Sequence, residues 1–413
     1  MEKRHGDTDP RVNRALIIRL CSPNLRVFDE RGMMITNDKP GPVMCVVGTR
    51  PEVIKMFPVV QALRAQGVPT VLVNTGQHSG LCTDALASFG LEADVDLQVM
   101  AHDQTPTDVA AKVLTRLRPE LETHQPSWIV VQGDTTTVLA AAIAGSYQRV
   151  PVAHVEAGLR SYDINEPFPE ELNRKAVGAI TSLHLAPTER AADALRKEGV
   201  AENAILLTGN TVIDALHWAT GHLPERATDP ALAAVDPERP LLLLTTHRRE
   251  NFGTRLTDIF SAVRRVAEQR PELQILFPVH PNPSVREVAG RELGEVPGVL
   301  MAEPLDYLDM ARALQQCDAV LTDSGGLQEE APALGKRVLV MREVTERPEA
   351  IDCGIAELLG TDPDRIVDRV NHALDNPMDD GASPYGDGRA GERIALALQG
   401  KPVEPFHWLE EDA

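Results

Sequence analysis

Short apolar runs alternate with longer amphipathic stretches along nearly the whole chain. The runs Val43–Val47, Thr70–Asn74, Trp128–Val131, Val152–Val155 and Ser182–Ala186 each predict a strand. A second series follows at Leu241–Thr245, Gln274–Val279, Val299–Ala302, Ala319–Thr322 and Arg337–Met341. Helical periodicity fills the gaps, over Glu52–Ala65, Thr135–Tyr147, Leu256–Glu268, Leu305–Gln316 and Leu327–Leu334, with another helix starting near Leu172. Strands separated by helices are the mark of parallel, doubly wound sheets. Two such series predict an α/β fold of two Rossmann-like domains with a cleft between them. The expected boundaries are 42–211 and 212–384, with 385–413 as a C-terminal helix and tail. The helix over Arg389–Leu398 could dock on either half, and the first half is the expected partner. Gly221–Pro240, rich in Pro, Ala and charge, reads as a surface connection, and Asp379–Asp387 as a loop.

Length agrees with two domains, since 413 residues exceed one ordinary core. Residues 1–41 are polar and hold no apolar signal-peptide core. They read as a disordered extension, or as an upstream start ahead of Met33 or Met34. The net charge of −20 disfavours nucleic acid or an anionic membrane as the main partner, although a local Arg cluster can still take a small anion. Five cysteines are scattered with no CxxC, which points to reduced thiols in a cytoplasm and away from structural zinc. No apolar run reaches the roughly 18 residues of a membrane span.

Candidate chemistry gathers at strand ends, where open α/β sheets place their ligands. Asp134, in QGDTTT, and Glu156, in HVEAGLRS, each follow a predicted strand, and Glu170 and Glu171 precede a helix in PFPEELNR. These four carboxylates and an Arg are expected to converge, so that like charges push their pKa values apart and leave an acid beside a base. The first strand ends in Gly48-Thr49-Arg50-Pro51-Glu52, with Lys55 one turn on. A helix N-terminus beside Arg50 and Lys55 suits phosphate. In the second half, Ser324, Gly325 and Gly326 join a strand to a helix, where amides can approach a diphosphate closely, and Glu330 could accept from ribose hydroxyls. His247 ends another strand and could carry a proton, while Arg248 or Arg249 could hold a phosphate. His280 and His78 also end strands and rank below His247; His154, inside an apolar strand, reads as structural. No zinc or calcium spacing, no Gly-x-Ser-x-Gly elbow and no GxGxxG occurs, so neither a metal nor a nicotinamide or flavin dinucleotide is expected.

The ordered motifs GTRPEVIKM, TGQH, QGDTTT, HVEAGLRS, PFPEELNR, TTHRREN and TDSGGLQEEAPALGK resemble those of the non-hydrolysing UDP-N-acetylglucosamine 2-epimerases. The resemblance spans about residues 43–400. It implies a glycosyltransferase-B type fold, a cytoplasmic homodimer, and interconversion of UDP-GlcNAc and UDP-ManNAc for cell-surface polysaccharides, without a cofactor. It further implies elimination and re-addition of UDP through a 2-acetamidoglucal. By motif match the acid/base candidates are Asp134, Glu156, Glu170 and His247. Arg50, Lys55, Arg249, Ser324, Gly325, Gly326 and Glu330 would bind UDP. Gln77, Glu171, Arg248 and His280 would form an activating second site for UDP-GlcNAc. The sequence departs after TGQH, where Ser79-Gly80 stand in place of the Arg and Glu common in the family. Competing readings are a retaining glycosyltransferase on the same scaffold, a nucleotide-sugar sensor, and a 2-epimerase of a related diacetamido sugar nucleotide.

Overall fold

The computed structural model describes residues 40–408 apart from His78 and 379–382. The N-terminal extension, His78 and part of the Asp379–Asp387 loop therefore lie outside the described residues. Seven parallel strands build the first sheet: β1 (Val43–Val47), β2 (Thr70–Asn74), β3 (Val95–Asp96), β4 (Trp128–Gln132), β5 (Val152–Val155), β6 (Leu183–Ala186) and β7 (Ile205–Leu207), in the order β3-β2-β1-β4-β5-β6-β7. Six more build the second: β8 (Leu241–Thr245), β9 (Gln274–Pro278), β10 (Val299–Ala302), β11 (Ala319–Thr322), β12 (Arg337–Val340) and β13 (Ala356–Leu358), in the order β10-β9-β8-β11-β12-β13. The central strands carry apolar side chains on both faces because helices cover both faces: β1 (VMCVV) and β8 (LLLLT) are buried throughout. In each sheet the strand order reverses once, between β1 and β4 and between β8 and β11. Those switch points open crevices at the carboxyl ends of the strands.

The inner faces of the two sheets share one continuous apolar cluster. Its centre is aromatic: Phe57 stacks on Phe89 at 4.3 Å between ring centroids, Trp218 meets Phe57 at 4.8 Å, and Tyr307 of the second half meets Phe89 at 5.4 Å. The chain crosses from first sheet to second at Gly209–Thr211 and returns over Ser383–Arg389. A Cβ on Gly209 would lie 3.2 Å from Gly386 Cα, so the two crossings touch where only glycine fits. Arg393 clamps the returning segment through Asp387 (2.6 and 2.7 Å) and the Thr208 carbonyl (3.2 Å). The helix Ala390–Leu398 then packs against the helix Arg50–Ala65 of the first half.

The Gly221–Pro240 connection is more than surface chain. It contains a short helix, Pro230–Ala233, with Leu232 buried, and the buried Asp309 carboxylate accepts the N–H groups of Thr228 (3.0 Å) and Asp229 (2.9 Å). Among the described residues no helix is long and apolar enough to cross a membrane.

Candidate active site

The two switch points face one cavity of about 480 Å³. From the first half it is lined by Arg50 and Lys55, at the start of the helix after β1. From the second half come His247 after β8, His280 after β9, and Ser324, Gly326 and Glu330 after β11. Arg50 has no acidic partner among the described residues; its guanidinium reaches only the Leu305 carbonyl, at 3.3 Å. Burial pushes the Glu330 carboxyl up to about 7, helped by the Glu329 charge and opposed by Lys55 and Arg50. The buried Tyr307 hydroxyl sits beside it and opposes that rise as a donor to the carboxylate, while burial and the Glu330 charge raise the Tyr307 hydroxyl in turn.

Behind the cavity lies a buried network that joins both halves. Lys55 pairs with Glu156 and lies 3.7 Å from Glu329. Arg347 bonds Glu329 at 2.6 Å. Gln132 and Asn210 donate to Glu156, and Asn210 also donates to Glu329. Burial by itself would raise the Glu156 pKa, but Lys55, Arg347 and Asn210 hold it below the ordinary carboxylate value. Lys55 and Arg347 are both held above their ordinary values, because these acids outweigh their burial. The Glu156 backbone is left-handed, at φ 63°, a conformation that costs a non-glycine residue energy and persists only where surroundings enforce it.

His247 is held by Asp323. The imidazole Nδ1 lies 3.1 Å from the fully buried carboxylate. Asp323 also accepts from Thr246 Oγ1 (2.8 Å), the backbone N–H groups of His247 and Arg248 (both 3.0 Å) and Asn251 Nδ2 (3.0 Å). Burial raises the carboxyl, yet the His247 ring and these donors outweigh it, so Asp323 remains an anion. An anion there fixes a proton on Nδ1 and leaves Nε2 as the nitrogen open to the cavity. The His280 ring lies 6.1 Å away, its pKa lowered by burial and by His247.

Residues 61–399 match the family model described as UDP-N-acetylglucosamine 2-epimerase. The chain is 43% identical over 372 residues to the UDP-N-acetylglucosamine 2-epimerase of Yersinia pestis, covering 87% of this chain and 99% of that one. The chain belongs to the UDP-N-acetylglucosamine 2-epimerase family. Its structure is similar to the Neisseria meningitidis UDP-GlcNAc 2-epimerase solved bound to UDP-GlcNAc, with a TM-score of 0.79, 36% identity, and coverage of 86% of this chain and 99% of that one. A more distant likeness, to Acinetobacter baumannii MurG, has a TM-score of 0.50 at 12% identity over 88% of this chain and 96% of that one. It bears on the fold alone, two parallel sheets with flanking helices of the glycosyltransferase-B type.

Within that frame the expected convergence of four carboxylates and an Arg gives way to two separate clusters. Glu156 joins Lys55. Asp134 turns instead to Arg174, which bonds it at 2.7 and 2.9 Å and also reaches Glu171 at 3.2 Å. Glu171 is buried and accepts the N–H groups of Ser161 (3.1 Å) and Tyr162 (3.2 Å), so it shapes the loop before its own helix. Arg160 pairs with Glu198 at 2.7 Å, away from these acids. Glu170 is half-buried and has no side-chain bond among the described residues. The reason is competition for bases: Lys55 takes Glu156, while Arg174, on the helix after β5, takes Asp134 and Glu171.

Lys55 lines the cavity but is already engaged by two acids. Arg249 is exposed and does not line the cavity. Gly325 abuts Arg347, where a Cβ would come within 2.8 Å of the guanidinium. The four residues of the expected activating site do not come together. Gln77 accepts from Thr137 (2.7 Å) and lines a different cavity, Glu171 serves its loop, Arg248 bonds the Asp323 carbonyl (3.4 Å), and only His280 borders the main cavity. His154 is structural: Nε2 bonds the Gly133 carbonyl at 2.7 Å, and burial pushes its pKa down to about 4. Glu329, Arg347, Asn210 and Asp323 went unselected in the sequence, as did Glu52. The buried Glu52 carboxyl ties the turn after β1 to that after β4, accepting from Gly48 N and Thr135 Oγ1, both at 2.6 Å; burial pushes it up to about 7. Among the described residues no three His, Cys, Asp or Glu are grouped to hold a metal.

Proposed function

We propose that this chain interconverts UDP-GlcNAc and UDP-ManNAc without hydrolysis, by eliminating UDP and adding it back through a 2-acetamidoglucal. One observation carries the reading: both switch points open on a single cavity, which Arg50 and Lys55, the partner of Glu156, line from the first half, and His247, Ser324 and Gly326 line from the second. Residues 42–211 then supply the sugar-facing acids and residues 212–384 the UDP-binding turn. The hydrogen on carbon 2 is weakly acidic, so departure of UDP must run ahead of proton removal. Arg50 and the amides of the turn would stabilise the charge that grows on the leaving diphosphate. A carboxyl at Glu330 raised to about 7 is partly protonated near neutral pH, and its protonated form can donate to a ribose or phosphate oxygen without repelling the anion. Inversion needs a proton taken from one face of carbon 2 and returned to the other, and His247 and the Glu156 side come from opposite halves. The UDP-ManNAc formed would serve cell-surface polysaccharide synthesis.

The test is proton NMR of UDP-GlcNAc with pure protein in deuterium oxide. The expected result is UDP-ManNAc carrying deuterium at carbon 2. Conversion without deuterium at that carbon would sink the proton-exchange route, and an unchanged spectrum would sink the substrate.

A further inference from the structure

Asn210 stands where the chain leaves the first half. It caps the helix Thr211–Gly221, its Oδ1 accepting the Val212 N–H at 3.1 Å. That contact fixes the amide, because a backbone N–H can only donate and must face the oxygen. The Nδ2 group therefore points the other way. It donates to Glu156 Oε1 and to Glu329 Oε2, each at 3.2 Å. Glu156 follows β5 of the first sheet, and Glu329 lies in the helix after β11 of the second. The backbone N–H of Asn210 also donates to the Tyr385 carbonyl, at 2.6 Å, on the returning crossing. One residue thus holds both halves and both connections between them.

The two acids need such a partner. Both are buried, and carboxylates sharing a site raise one another's pKa unless cations or donors compensate. Lys55 and Arg347 supply two positive charges; Asn210 supplies two neutral donors between the acids. We propose that Asn210 is a positioning residue for the epimerase reaction. It sets the Glu156 carboxylate against the second half, so that this acid is in its working place only when the halves are held as they are here. The assignment rests on the epimerase reading and on Glu156 serving carbon 2.

Two variants separate this role from capping. Asn210→Ser keeps an N-cap acceptor but is too short to bridge both acids. Asn210→Asp keeps the shape and the cap, and replaces the double donor with a third carboxylate. Wild type and both variants are compared by turnover, UDP affinity, melting temperature and the pH dependence of kcat. For Asn210→Ser we expect wild-type UDP affinity, a melting temperature lowered by the loss of donors to two buried acids but a chain still folded at assay temperature, and kcat lower by about 10²-fold, the scale of a misplaced catalytic group. For Asn210→Asp we expect the kcat optimum displaced to lower pH, because the introduced carboxyl can donate only while protonated and its two neighbours hold that proton on to higher pH than usual. Wild-type kcat in Asn210→Ser overturns the role, as does an unmoved pH profile in Asn210→Asp whose loss of rate tracks its loss of stability. Wild type itself serves as the control. If it leaves UDP-GlcNAc unchanged, the epimerase reading falls and takes this assignment with it; if it converts the substrate, the variants judge Asn210 alone.

Discussion

Two clusters of acids and bases each draw a carboxylate from the same short stretch of sequence and do different work. Asp134, Glu171 and Arg174 close within the first half, and their bonds span at most 40 residues of chain. Glu156, Lys55, Glu329 and Arg347 span both halves: Lys55 bonds Glu156, 101 residues away within the first half, and reaches Glu329 of the second at 3.7 Å, while Asn210 bonds Glu329 across 119 residues. In the first cluster one Arg serves two carboxylates, and Glu171 ties down a loop. In the second, two acids meet two bases, so the network can be buried with no net charge. The lesson is that a carboxylate–base contact near a cleft is not a functional label. What distinguishes the two is whether the contact depends on how the halves sit.

The largest expected effect tests the second cluster directly. Glu156→Gln keeps the size and removes the charge; turnover should fall by roughly 10²–10⁴-fold, the scale of a lost acid–base group, with UDP still bound. Single-turnover kinetics at wild-type level would erase the functional contrast between the clusters. Next comes Lys55→Met, which leaves Glu156 buried without its nearest cation, takes a second cation from Glu329, and should cost about 3–5 kcal/mol in denaturant unfolding. Arg174→Met should cost less, because Asp134 is partly open to water and can be solvated. Equal losses would mean that the single-half cluster is as deeply committed as the other. Arg50→Ala removes a cation that belongs to neither cluster, so it should weaken UDP binding by about 1.5–3 kcal/mol in calorimetry while leaving stability nearly unchanged.

The smallest effect is a pH dependence. The Glu330 carboxyl is raised in the folded state to about 7 from an ordinary value of 4.5. Its contribution to stability is therefore complete below the ordinary value and is lost as pH rises through about 7. Glu330→Gln abolishes that loss, so its stability relative to wild type should improve by about 1–2 kcal/mol between pH 5 and pH 8. Parallel melting curves across that range would show that Glu330 ionises normally and lies outside the influence of Glu329.

The central strands were legible because burial on both faces writes an unbroken apolar run, as in β1, β8 and β11. The strands β3, β7 and β13 were not, since each is two or three residues long and lies at a sheet edge, with too little pattern to register. Strand-end chemistry was partly legible: Arg50, His247, Ser324, Gly326 and Glu330 all reach one cavity. Glu329 stands beside Glu330 in the same motif, but neighbours on a helix point about 100° apart, and it was Glu329 that turned toward the first half. Arg347 follows β12 in Val344-Thr345-Glu346-Arg347-Pro348, with no glycine turn or helix start to single it out. Asn210 shows its capping role in sequence, as an Asn ahead of an apolar periodic stretch; its second role depends on partners far away in the chain. Asp134 and Arg249 were chosen by local context, and local context cannot show that Asp134 has a competing Arg or that Arg249 faces water.

The paired crossings at Gly209 and Gly386 have a mechanical consequence. A body tethered to another by one strand of chain can swivel, twist and drift. Tethered at two touching places, with the returning helix seated on the opposite body, it keeps chiefly one freedom, rotation about the line through those places. Such a joint would confine any relative movement of the two bodies to one path.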